Sequence, residues 1–215
     1  MGAKTCMLVY ADRNAREALG CSPLFQRAES EKFARKLFAG EKLEPLDDGS
    51  LLDTSPPDDE LCVGCFPGIS IIAAKEFGID RPSELPARFI SAGESGTITL
   101  HAMHSAVDWF AFAQWSNGKL LRSLSLSPDN GVMEDFGPKL AFEEPFWAGE
   151  HPAVDENDED DYPLPFHPLD LGEAALSSLF GFFLEGTSAA TTPLFDPESI
   201  PLIRFKRSRS RWKFW

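Results

Sequence analysis

Two spacings of apolar residues divide the chain. Residues 5–11 form an unbroken, largely apolar run from Thr5 to Ala11 that stops at Asp12, the pattern of a strand covered on both faces. Ser22 and Pro23 then read as an N-cap followed by proline at the first helical position. Phe25, Ala28, Phe33, Leu37 and Phe38 recur on one helical face up to Gly40. A second short run spans Leu61 to Phe66. Strand, helix, strand in this order predicts a right-handed βαβ unit at the N-terminus.

The middle of the chain changes period. Residues 107–115 and 119–127 flank Ser116, Asn117 and Gly118, and Asn-Gly supplies the positive φ angles of a type I′ turn, so a hairpin is expected. In its second strand Arg122, Leu124 and Leu126 share a face, with serines on the other. Residues 96–101 and 131–134 add two further strands. Asp170 to Glu173 resembles a capping box. Leu176, Leu179, Phe180 and Phe183 follow at i, i+3, i+4 and i+7, the stripe of a packed helix ending at Gly186. Helices are thus expected near 23–38, 82–92 and 171–185. The fold class is α/β, with α+β as its neighbour: one domain over residues 1–206, a mixed sheet with the βαβ unit and a central antiparallel hairpin, and flanking helices. Residues 207–215 read as a basic, aromatic tail whose removal should leave the domain folded.

Composition narrows the setting. At 215 residues and 43% hydrophobic content the chain can bury a core without staples. The N-terminal apolar run is too short for an export signal, and no stretch approaches the roughly 18 apolar residues of a membrane helix. The four cysteines are therefore expected as thiols in a cytoplasmic protein. Net charge is −14, yet residues 201–215 carry six cations and no acid, leaving −20 on the other 200 residues. A body that acidic repels nucleic acid and anionic membrane. Only the tail, which alternates basic and aromatic residues after Phe205, could contact either. Docking on the acidic body is the favoured expectation for it. Residues 155–161, with six acids and no apolar group, read as a solvated loop.

The runs 101–113 (HAMHSAVDWFAFA), 122–131 (RSLSLSPDNG), 146–152 (FWAGEHP) and 162–173 (YPLPFHPLDLGE), with the opening MGAKT, are similar to a family of uncharacterised, mainly actinobacterial proteins, the domain of unknown function 6928. The resemblance spans nearly the whole chain and implies no activity, substrate or catalytic residue. Cys6, Cys62 and the tail beyond Lys206 are not features of that pattern.

Candidate chemistry is sparse. Cys62 and Cys65 have the spacing of a redox or zinc pair, but residues three apart on a strand face opposite sides, which favours two buried thiols. His101, His104 and Asp108 resemble metal ligands by composition, yet a turn near Met103–Ala106 leaves only His104 and Asp108 able to converge. Ser70 lacks the last glycine of a nucleophile elbow, and residues 93–96 lack the lysine of a phosphate-binding loop. No cofactor or metal site is assigned. Asp12 and Cys65, at the ends of their strands, are expected to share one sheet edge, with His104, Asp108 and His151 converging there on a polar cleft. The balance favours a non-enzymatic interaction or regulatory protein of unknown protein partner. The alternative is a hydrolase or metal-dependent enzyme using that His/Asp cleft.

Overall fold

A computed structural model describes residues 2–93, 96–154, 162–185 and 193–209. The acidic run 155–161 and residues 210–215 of the expected tail lie outside the described residues.

The strands are β1 (Lys4–Ala11), β2 (Glu41–Pro45), β3 (Gly49–Ser50), β4 (Glu60–Phe66), β5 (Ile69–Ala73), β6 (Thr97–His104), β7 (Trp109–Ser116), β8 (Lys119–Ser127), β9 (Gly131–Phe136) and β10 (Pro201–Arg209). They form one ten-stranded sheet in the order β2-β10-β4-β5-β1-β6-β7-β8-β9, with β3 beside β10. The helices are α1 (Ala15–Gly20), α2 (Arg27–Leu37), α3 (Ala87–Ser91), α4 (Glu144–Trp147) and α5 (Pro168–Phe180).

The content is mixed, but the expected mixed sheet and βαβ unit are not what the strands form. Each ladder among the described residues is antiparallel. β1 and β4 run in the same direction, yet β5 lies between them and pairs antiparallel with both. Gly68, at φ +78°, turns the chain straight from β4 into β5. The unbroken apolar runs arise because helices cover both faces of an antiparallel sheet, a burial that usually marks parallel strands.

Alternation along β1 assigns the two faces. Met7 and Val9 join Phe110, Phe112, Leu124 and Leu126 beneath Leu171, Ala175, Leu176 and Phe180 of α5. Cys6, Leu8 and Tyr10 join Ile98, Leu100 and Trp115 against Ala34, Leu37 and Phe38 of α2 and Phe89 of α3. Burying both faces of a strand in this way contributes about 1.5–3 kcal/mol per large apolar side chain.

The hairpin forms as expected, with Asn117 at φ +48° and Gly118 at φ +75°. Helix starts differ. Ser22 sits at φ +50° outside any helix, and α2 begins four residues after Pro23. α1 precedes it, capped by Asn14 Oδ1, which accepts from Glu17 N at 3.1 Å. The expected helix at 82–92 is a 3₁₀ turn over Pro82–Glu84 and then α3, separated by Pro86. α5 is capped by His167 rather than Asp170 and stops at Gly181, φ +86°.

Candidate functional site

The five residues expected to share a cleft are dispersed. Asp12 follows β1; its backbone N donates to Gly68 O at 3.1 Å and its exposed carboxylate accepts from Arg13 at 3.2 Å. Cys65 lies buried at the same end of the sheet beneath α2, its amide donating to Ser30 Oγ and its sulfur accepting from Ser70 Oγ at 3.2 Å. Burial pushes that thiol up, away from the thiolate a nucleophile needs. Cys62 faces the opposite core, where burial pushes it up to about 12, so the two thiols do not form a pair.

His104 stands at the other end. Lys4 of β1 pairs with His104 and Ala11 pairs with Thr97. Seven residues of strand therefore separate the Asp12 end from the His104 end, about 23 Å. His104 lines a cleft of about 300 Å³ with Cys6, Lys75, Asp80, Trp109 and Asp129 on the α2/α3 face. Its Nδ1 accepts from Ala106 N at 3.3 Å, which places the neutral ring's proton on Nε2. Burial, with Lys4 and Lys75 nearby, holds its pKa down. His151 stacks on Phe146 at 4.5 Å on the α5 face, so the two histidines lie on opposite sides of the sheet and do not form the expected cleft.

Asp108, at φ +45° in the turn between β6 and β7, meets a residue outside that set. Its Oδ2 lies 3.7 Å from Nε2 of His167, the N-cap of α5. Tyr162 stacks on His167, with ring centroids 5.7 Å apart. The Tyr162 hydroxyl is buried without a hydrogen-bond partner among the described residues. Burial, with the charges of Asp108 and Asp170, pushes it up to about 12. Among the described residues no three His, Cys, Asp or Glu side chains are grouped as a metal site.

Three further polar features are built into the fold. His101 is fully buried, with Nε2 donating to Gly172 O of α5 at 3.0 Å and Nδ1 accepting from Thr5 Oγ1 at 2.7 Å. Glu173 of α5 accepts from Leu184 N and Glu185 N, each at 2.9 Å, and burial pushes its pKa up to about 7. Finally, a depression of about 200 Å³ opens where β1 ends, between the sheet, α1 and the last turn of α5. Arg13, Asn14, Thr97, Thr99, Gln114 and Ser178 supply its polar lining. The signal for it was present: Thr97, Thr99, His101 and Gln114 are polar on the sheet face that Met103, Phe110 and Phe112 give to the core.

A sequence-family model matches residues 5–205, from β1 to the middle of β10. The chain belongs to DUF6928, a family of unknown function. No curated protein and no solved structure matches it. The DUF6928 match covers the whole described sheet except its ends, and it includes every site residue described above.

Proposed function

We propose that this DUF6928 protein is a non-enzymatic interaction module that takes up an extended segment of a protein partner as an added strand on β9. The observation that carries the reading is the contrast between the two sheet edges. β2 is guarded as edge strands commonly are, by the exposed Lys42, Glu44 and Pro45. β9 is not. Val132 and Phe136, with Leu121 of the neighbouring β8, are among the most exposed large apolar side chains. The acids of β9 are turned to internal work: Glu134 accepts from Ser83 N, Ser83 Oγ and Ser123 Oγ, and Asp135 pairs with Arg122.

Charge selects the class of partner. Arg122 is shared by Asp135 and Glu143, and the Glu134 contacts are neutral hydroxyls and an amide, so the edge carries net negative charge. A second copy of β9 would bring like charges together. A segment alternating cationic and apolar side chains would complement both the charge and the exposed apolar groups. Residues 208–215 alternate cations with serine up to Arg211 and with tryptophan or phenylalanine beyond it. β10 and β9 stand seven strand spacings apart, about 33 Å. Six residues beyond Arg209 span at most about 21 Å, so this segment can reach β9 only from another molecule.

The test is fluorescence anisotropy with a labelled peptide of residues 208–215. Binding should be saturable, weaken with salt, and fall at least about tenfold when Val132→Lys and Phe136→Lys guard the edge. No binding, or equal binding to the guarded variant, overturns the proposal.

A further inference from the structure

We infer that the depression at the end of β1 is a binding site for a small hydroxylated molecule bearing a phosphate or carboxylate. This site is independent of the β9 edge and lies on a different part of the sheet.

Its lining is unusual for this chain. The protein carries net charge −14, yet among the described residues no carboxylate lines this cavity. Arg13 supplies the cation. Its guanidinium passes close to Gly68, at φ +78°, where an added Cβ would strike both the Arg13 guanidinium and the Asp12 carboxylate. Asp12 takes Arg13 Nε at 3.2 Å on the exposed rim, leaving the other guanidinium nitrogens to a ligand anion.

Behind Arg13 the donors and acceptors are neutral. Asn14 commits its Oδ1 to the α1 cap, so its amide nitrogen is available as a donor. Gln114 Nε2 donates to Thr99 Oγ1 at 3.4 Å, which leaves the Thr99 hydroxyl proton and the Gln114 carbonyl for a ligand. Thr97 and Ser178 add two hydroxyls. The cavity also borders the last turn of α5, where backbone carbonyls outnumber donors. That end suits ligand hydroxyls and repels an anion, so the charged group belongs at the Arg13 end. Val9, Leu179 and Phe180 supply an apolar wall. A cation at one end, paired amides and hydroxyls in the middle and acceptors at the other describe a phosphorylated or carboxylated polyol.

The experiment uses the full chain and two-dimensional amide NMR, with glucose 6-phosphate, gluconate, glucose and inorganic phosphate as probes. The expected result is saturable shifts of the Asn14 and Gln114 side-chain amide resonances with glucose 6-phosphate or gluconate. Glucose should bind at least about tenfold more weakly, the size of one charge-assisted contact. Arg13→Gln should remove that preference for the anion. Ser178→Leu, which fills the α5 end without touching Arg13, should block the sugar probes and keep the fold, read from the rest of the spectrum. Inorganic phosphate alone should bind weakly and respond only to Arg13→Gln. The inference is overturned if no probe gives saturable shifts at millimolar concentration. Equal shifts with glucose and glucose 6-phosphate overturn it too, as does unchanged binding in both variants.

Discussion

Arg122 should be among the costliest side chains in this protein to remove alone and much less costly to remove with its partner. It and Glu143 are both fully buried. Arg122 Nε and Nη2 donate to the two Glu143 oxygens at 3.0 and 2.6 Å, a bidentate pair, and Leu140 N donates to Glu143 Oε1 at 2.8 Å. Arg122 Nη1 also donates to Asp135 and to the carbonyl of Phe136 at 2.9 Å. Arg122→Met removes the guanidinium, which lies 5.9 Å from the centroid of the Phe112 ring, and leaves the Glu143 carboxylate in the core with one amide donor. Stranding a buried charge in this way costs about 3–5 kcal/mol. Asp135, 42% exposed, adds no more than about 1 kcal/mol. In urea unfolding the midpoint should fall by roughly 1–2.5 M at an m of about 2–3 kcal/mol/M. The double variant Arg122→Met/Glu143→Leu should regain at least half of that loss, because no charge is then stranded. The amides of β9 should exchange faster in the single variant, since Arg122 ties that strand to its neighbour. A single-variant loss under about 1 kcal/mol, the worth of an exposed pair, would refute the reasoning. So would a double variant as unstable as the two singles summed.

Burial holds His101 down to about 4 from its ordinary 6.5. The unfolded chain therefore takes the proton first, and this group's contribution should be lost as pH falls from about 6.5 towards 4, by about 3 kcal/mol in all; in urea titrations across that window, a slope in the parent no steeper than in His101→Phe would sink the assignment. Gly118→Val should cost about 1–2 kcal/mol through backbone strain alone, because nothing lies within 4 Å of an added Cβ; an unchanged denaturant midpoint would disprove it. Ending the chain at Lys206 should destabilise the protein by several kcal/mol, against the expectation that residues 207–215 are dispensable. Arg207 is buried, holds Glu41 and Glu76, and donates its amide to Asp59 O at 2.7 Å. A truncated chain with the parent's melting temperature would restore the tail reading.

Local signals in the sequence located most elements and said little about how they are joined. Positive-φ chemistry at Asn117 and Gly118 specified the β7–β8 hairpin, and apolar runs located β1 and β4 within a residue. The pairing of β1 with β5 and β6 was not legible, because a strand buried on both faces looks the same in a parallel and in an antiparallel sheet. The shared-edge argument inherited that ambiguity. Asp12 and Cys65 do end their strands at one edge, but antiparallel pairing puts the end of β6, and with it His104, at the other.

The site was harder to read for a related reason. A histidine in sequence does not reveal whether its ring nitrogens are already committed. His101 is committed to Thr5 and Gly172, and His167, an N-cap, to Leu169 N and the neighbourhood of Asp108. Of the histidines chosen by type, His101 therefore serves the fold, while His167, which does too, was not among them. The polar groups that line the depression at the end of β1 are threonines, a serine, amides and Arg13, whose individual identities carry no chemical signature. What marks them is position. Thr97, Thr99 and Gln114 lie on the α5 face of strands whose other residues on that face, Met103, Phe110 and Phe112, are core. Polar side chains held at core-facing positions need partners, and where the helix above stops short, at Phe180, a ligand can supply them. The same reasoning applies to β9, whose acids are satisfied internally while Val132 and Phe136 remain in solvent. In both places the informative observation is which groups the fold leaves unpaired, and that depends on register more than on residue type.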